Sequence, residues 1–186
     1  MVEKKTLRKK ILAERDAQSK AEREAKDKQI WNRLFNTEEY QKSTTIFVFI
    51  SFKSEVFTHA AIEKMLKDGK RVCVPVIPRK NDPMEARYIE QISDLKMGLY
   101  NIMEPPASAE KANQKEIDLI IAPGAVFTRK GKRIGYGGGY YDRFLSKFNG
   151  DIIAICYDLQ IVDDFRIDEW DVKIQKIITE NELIAC

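Results

Sequence analysis

Apolar positions fall along this chain in two periods. Leu7, Ile11 and Leu12 recur at helical spacing among lysines, arginines and glutamates, which predicts a helix over residues 3–18. Ser19 and Glu22 form an S-x-x-E capping box, so a second helix starts there, with Ile30, Leu34 and Phe35 near its end and Trp31 expected in the core. Thr45–Ile50 and Arg71–Ile77 are dense in β-branched residues and read as buried strands. Between them, Ala60, Ala61, Met65 and Leu66 mark a helix over Phe57–Lys67, stopped by Gly69. Glu85–Glu90 alternates and reads as an edge strand, and residues 101–116 as a loop. Ile117–Ala122, Ile152–Cys156 and Ile174–Thr179 are further strands, and Tyr140–Phe148 is a helix with Tyr141, Phe144, Leu145 and Phe148 on one face. Strands alternating with helices predict an α/β fold, a mostly parallel sheet covered on both faces.

Length and composition narrow the picture. The chain has 186 residues, 44% hydrophobic and 33% charged, so one core and a single domain over 1–186 are expected. The apolar runs are strand-sized, whereas a membrane helix needs about 20 apolar residues. The charged amino terminus does not read as a secretory signal. Cys73, Cys156 and Cys186 stand far apart, and His59 is the sole histidine, so a Cys/His zinc site lacks ligands. These features predict a cytoplasmic protein with free thiols, no membrane partner, and no apolar stretch that demands a second copy. His59 reads as a surface or partly packed residue.

The net charge of +3 hides an asymmetry: residues 1–36 hold 11 Lys/Arg against 6 Asp/Glu, residues 127–150 hold 6 against 1, and residues 151–186 hold 3 against 9. The second basic segment carries the informative motif. Residues 128–139 read as a basic, glycine-rich loop, and Gly135, Gly137, Gly138 and Gly139 stand directly before the predicted helix. Dense glycine costs backbone entropy and is used where a ligand approaches the backbone closely. With Lys132, Arg133 and a helix start, the segment reads as a polyphosphate cradle. It matches neither GxxxxGK[ST] nor GxGxxG. Lys4 and Arg8 are i, i+4 and share a helix face with cations to spare for phosphates.

Pro123-Gly124-Ala125-Val126-Phe127, Gly131 and the run from Arg133 to Arg143 strongly resemble the signature of the 5-formyltetrahydrofolate cyclo-ligase family. Weaker similarity covers nearly the whole chain, through Lys4, Lys5, Arg8, Ile50, Glu55, Val74-Pro75-Val76 and Gly98–Pro105. The resemblance implies a three-layer α/β/α sandwich and an ATP- and magnesium-dependent cyclisation. The γ-phosphoryl group goes to the formyl oxygen of 5-formyltetrahydrofolate, N10 attacks, and phosphate leaves to give 5,10-methenyltetrahydrofolate and ADP. It implies Arg133 and Tyr140 as catalytic residues, and an ATP site of Lys4, Lys5, Arg8, Arg133, Ile134, Gly135, Tyr136, Gly137, Gly138, Gly139, Tyr140 and Tyr141. It implies folate contacts at Ile50, Glu55, Tyr136, Gly137, Gly138, Gly139 and Tyr140, with Met84 and Tyr100 as further lining. Asp142 and Asp171 are the expected magnesium ligands, a role that one or two carboxylates can fill beside phosphate oxygens. Relatives often carry His-Asp where this chain has Trp170-Asp171, and a further Asp where it has Gln175.

Two other readings of the same loop are a kinase or ligase for another small acid, and an RNA-binding module that stacks bases on Tyr136, Tyr140 and Tyr141. The small net charge and the lack of an RNP1-like strand weigh against nucleic acid.

Overall fold

The computed structural model describes residues 3–186. Its helices are α1 (Lys4–Ala17), α2 (Lys20–Phe35), α3 (Glu38–Lys42), α4 (His59–Lys67) and α5 (Tyr140–Leu145). Its strands are β1 (Thr45–Val48), β2 (Arg71–Val76), β3 (Glu85–Ile89), β4 (Lys96–Met97), β5 (Met103–Glu104), β6 (Leu119–Ala122), β7 (Val126–Thr128), β8 (Arg133–Ile134), β9 (Asp151–Ile155), β10 (Ile161–Val162), β11 (Lys176–Ile178) and β12 (Leu183–Ala185).

Seven strands form the central sheet in the order β12-β11-β9-β6-β1-β2-β3. The five inner strands pair in parallel, and β3 and β12 close the edges antiparallel. Side-chain alternation then builds two cores. Ile46, Val48, Leu119, Ile121, Ile153 and Ile155 pack with Ile30 and Leu34 of α2 and Ile62 and Met65 of α4. Phe47, Cys73, Ile120, Ala122, Ile152 and Ala154 pack on the opposite face with Leu145 of α5, joined by Tyr141, Phe144 and Phe148. The result is the expected α/β/α sandwich. A third cluster seats Ile11 of α1 on Val126, Ile134 and Phe165, beside the small β10-β7-β8 sheet.

The predicted capping box is present at α2, where Ser19 Oγ accepts from Glu22 N and Glu22 accepts from Ser19 N. Gly69 ends α4 at φ +77°, a left-handed conformation that glycine adopts without penalty. Two expectations are corrected. Residues 128–139 are not one loop, because Arg133–Ile134 pairs with Val126–Phe127 as a hairpin whose turn carries Gly131 at φ +75°. The helix read over Tyr140–Phe148 ends at Leu145; Phe148 still packs on the core from the segment beyond.

Behind the sheet, Asp27 of α2 is buried and accepts from the Tyr157 hydroxyl (2.8 Å) and the Phe57 amide (3.3 Å). Burial pushes its carboxyl up from 3.8 to about 6, against those two hydrogen bonds. The folded state therefore holds this proton more tightly than the unfolded chain. The contribution of Asp27 to stability falls as pH rises from about 4 to about 6. Chemical denaturation across that window should show the slope in the wild type and lose it in Asp27→Asn; equal slopes would remove the group from the pH balance.

Candidate functional site

From β1 the chain runs to one side through β2 and β3, then returns to β6 on the other side. Connections that part in opposite directions leave a crevice beyond the carboxyl ends of the two strands. A cavity of about 600 Å³ opens there. Phe49 and Ile50 after β1, Ile77 after β2 and Pro123 after β6 give it apolar walls, with Met84, Leu99 and Tyr100. Lys4 and Arg8 of α1, Arg133, Gly135–Gly139, Asp142 and Asp171 supply its polar side. The volume and the mixture suit a small ligand with a flat apolar body and charged groups.

The glycine loop spans five residues between β8 and α5. Gly137 (φ +105°) and Gly139 (φ +65°) take left-handed backbone, and Gly139 caps α5. A Cβ on Gly137 would stand 3.3 Å from the Arg8 guanidinium, and one on Gly138 would stand 2.7 Å from the Tyr140 ring. The glycines thus let a cation and an aromatic ring close on the backbone. With only six residues, α5 contributes a weak dipole, so the positive field comes chiefly from side chains.

Arg133 has a side chain only 2% exposed. It donates to Asp142 Oδ1 (2.6 Å) and the Pro123 carbonyl (3.3 Å), while its buried Nε has no partner. Arg8 reaches the Gly135 carbonyl at 3.5 Å. Lys4 bonds to Asp168 (2.7 Å) and Asp171 (2.5 Å). Burial lowers the Lys4 pKa, but those hydrogen bonds and charges outweigh it and hold it above the usual value. Lys5 is exposed, away from the cavity lining. Lys132 turns to Asp164 (2.5 Å) and the Phe165 carbonyl (2.9 Å), so it does not join the cradle. Ile134 and Tyr141 line the cavity.

Glu55 is presented by the loop after β1. That loop is clasped by Ser51 N donating to Thr58 Oγ1 (2.9 Å) and Thr58 N donating to Ser51 Oγ (3.1 Å). Trp31 holds it from behind by donating to the Phe57 carbonyl at 2.8 Å. The Tyr136 hydroxyl donates to Glu55 Oε1, and the Phe52 amide donates to Oε2 at 2.8 Å. Burial raises the Glu55 pKa, opposed by the Tyr136 hydrogen bond and the Arg15 charge. Burial and the Glu55 charge raise Tyr136 well above its ordinary value. Tyr140 meets the Tyr100 hydroxyl at 2.9 Å and accepts from the Asn81 amide at 3.3 Å; these two contacts lower its pKa.

The two carboxylates expected to hold magnesium both line the cavity. Asp142 Oδ1 and Asp171 Oδ2 are committed to Arg133 and Lys4, whereas Asp142 Oδ2 and Asp171 Oδ1 carry no hydrogen bond among the described residues. Each carboxylate thus keeps one hard oxygen with free lone pairs, the donor type suited to an ion that takes its other ligands from phosphate and water. Among the described residues no group of three or more His, Cys, Asp or Glu is placed to hold a metal.

The sequence pattern did not disclose Arg15, nor that Trp170, 71% exposed, would line the cavity beside Asp168. Arg15 lies three turns from Lys4 with nothing local to mark it; Trp170 stands in a polar segment whose course only the fold reveals.

A crevice at the switch point of a parallel sheet, a glycine cradle and converging cations define an α/β enzyme that works on a small ligand. A model of the 5-formyltetrahydrofolate cyclo-ligase family matches residues 1–180, and the chain belongs to that family. The 5-formyltetrahydrofolate cyclo-ligase of Escherichia coli K12 is 30% identical over 145 residues, covering 75% of this chain and 79% of that one. The solved structure of Aquifex aeolicus 5,10-methenyltetrahydrofolate synthetase is 28% identical, with a TM-score of 0.88, and the match covers 98% of this chain and 92% of that one. The synthetase structure from Mycoplasma pneumoniae is 27% identical, with a TM-score of 0.78, covering 96% and 99%.

The Arg133–Asp142 pair has a measurable consequence. Asp142→Ala leaves a buried guanidinium short of its counter-charge and should cost about 3 kcal/mol. Asp142→Asn keeps an acceptor and should cost less than half of that. Urea unfolding of the two variants checks this, and equal losses would show that the lost charge, not the lost acceptor, carries the whole cost.

Proposed function

We propose that this chain converts 5-formyltetrahydrofolate to 5,10-methenyltetrahydrofolate at the expense of ATP, with magnesium, as a single cytoplasmic monomer whose domain spans 1–186. The observation that carries this reading is one cavity holding both a glycine–arginine cradle and an apolar slot beside a buried-edge carboxylate. The cradle suits a triphosphate, and the slot with Glu55 suits a flat heterocycle bearing N–H donors.

Phosphoryl transfer asks a protein chiefly for positioning and charge neutralisation. Lys4, Arg8 and Arg133, with the Gly135–Gly139 backbone, would hold the phosphates. Magnesium, when bound, neutralises phosphate charge; Asp142 and Asp171 would hold it. The formyl oxygen attacks the γ-phosphorus and ADP leaves. N10 then adds to the activated carbon, its proton passes to a phosphate oxygen, and the C–O bond breaks to release phosphate. Tyr140, whose hydroxyl is held by Tyr100 and the Asn81 amide, would orient the reacting groups and hold a proton near the leaving oxygen. Ile50 and the Tyr136 ring would flank the pterin, and the family membership favours this chemistry over another small acid.

The test is near-ultraviolet absorbance of the full chain mixed with 5-formyltetrahydrofolate. A methenyl-folate band should appear only with both ATP and magnesium; its absence, with nucleotide binding still seen by calorimetry, would move the acceptor to another acid. In the same assay Lys4→Ala should raise KM for ATP about tenfold and leave kcat within about twofold, because it removes a phosphate partner formed before the chemical step. Unchanged ATP kinetics would take Lys4 out of the site. Gly138→Val should abolish the band without lowering Tm by more than a few degrees, since its Cβ displaces the Tyr140 ring and not the core. Retained activity would show that the loop tolerates a side chain.

A further inference from the structure

Arg15 is a charged residue only 3% exposed, and among the described residues its guanidinium makes no direct ion pair with a carboxylate; its hydrogen-bond partners are hydroxyls. Its guanidinium meets two hydroxyls: Nε donates to Ser54 Oγ (3.0 Å) and an Nη donates to Tyr136 Oη (2.8 Å). Each hydroxyl passes its own proton on, Ser54 to Asp16 and Tyr136 to Glu55. A phenol has one proton. With Arg15 occupying an acceptor position on Tyr136, that proton is committed to Glu55, which stays an acceptor. Tyr136 and the Phe52 amide use two of about four lone-pair sites on the Glu55 carboxylate, leaving acceptor capacity.

A buried ion that needs only structural neutralisation pairs with a carboxylate. Arg15 instead spends its charge on the orientation of Tyr136, a residue 47% exposed that lines the cavity. We infer that Arg15 is a positioning residue that fixes the Tyr136 hydroxyl and, through it, holds Glu55 as the acceptor for the N–H groups of the folate heterocycle. This rests on the folate reading above and adds to it a residue that touches neither ligand.

The experiment is a double-variant cycle on the full chain, read by methenyl-folate formation, with thermal unfolding of each protein alongside. Arg15→Gln and Tyr136→Phe should each raise KM for the folate about tenfold while KM for ATP stays within about twofold, and the double variant should be no worse than Arg15→Gln alone. Arg15→Lys keeps the charge but cannot span both hydroxyls, so it should recover part of the loss. Additive losses, an equal rise in KM for ATP, or an unchanged folate KM would overturn the proposal. If Arg15→Gln does not fold, Ser54→Ala, which removes the other hydroxyl anchoring the guanidinium, takes its place: non-additivity with Tyr136→Phe supports the proposal and additivity overturns it. A wild-type chain that neither binds the folate by calorimetry nor forms the band overturns the proposal together with the folate reading. An active wild type with an additive cycle overturns the Arg15 role alone.

Discussion

The parallel pairing of β1 with both β2 and β6 is the constraint on which the cavity depends. All four residues of β1 are buried, so the strand has to sit inside the sheet with neighbours on both edges. Chain connections leaving such a strand in opposite directions cannot cover the gap between them. The gap is filled instead by whatever follows each strand: the clasped loop with Glu55 after β1, Pro123 after β6, and the hairpin that carries the glycine loop over the opening. A strand order without that reversal would close the crevice with a connecting segment.

Charge at the site is managed by pairing. The acidic segment 151–186 and the two basic segments meet in space through Lys4 with Asp168 and Asp171, Lys132 with Asp164, and Arg129 with Glu182. Arg129 with Glu182 is exposed on both sides and contributes little, while the other three each have a half-buried partner. Arg133 with Asp142 and Arg15 with its two hydroxyls are different, since burial makes an unmatched charge there costly. The asymmetry that the sequence displays is thus partly internal neutralisation and partly the charge pattern of the cavity.

Long apolar strands, the Ser19–Glu22 cap, the Gly69 stop and the glycine–tyrosine loop were all legible in the sequence, because each is a local pattern with a local cause. Strands of two or three residues, such as Arg133–Ile134 and Ile161–Val162, show no period of their own and exist only because a partner lies alongside. The same holds in the cavity. Lys4, Arg8, Glu55 and Asp171 were identifiable one at a time, but Lys4 meets Asp171 across 167 residues. Arg15 meets Tyr136 across 121, and no spacing rule anticipates such a contact.

Helix α1 carries Lys4, Arg8, Ile11 and Arg15 along one stripe. Two of these line the cradle, one anchors the helix on Val126 and Ile134, and the last reaches the Tyr136–Glu55 pair. A single rigid rod therefore belongs to both halves of the cavity. Thermodynamic linkage makes such an arrangement reciprocal: whatever factor an anion in the cradle would gain by favouring this seating of the rod, a ligand held by Glu55 would gain in equal measure.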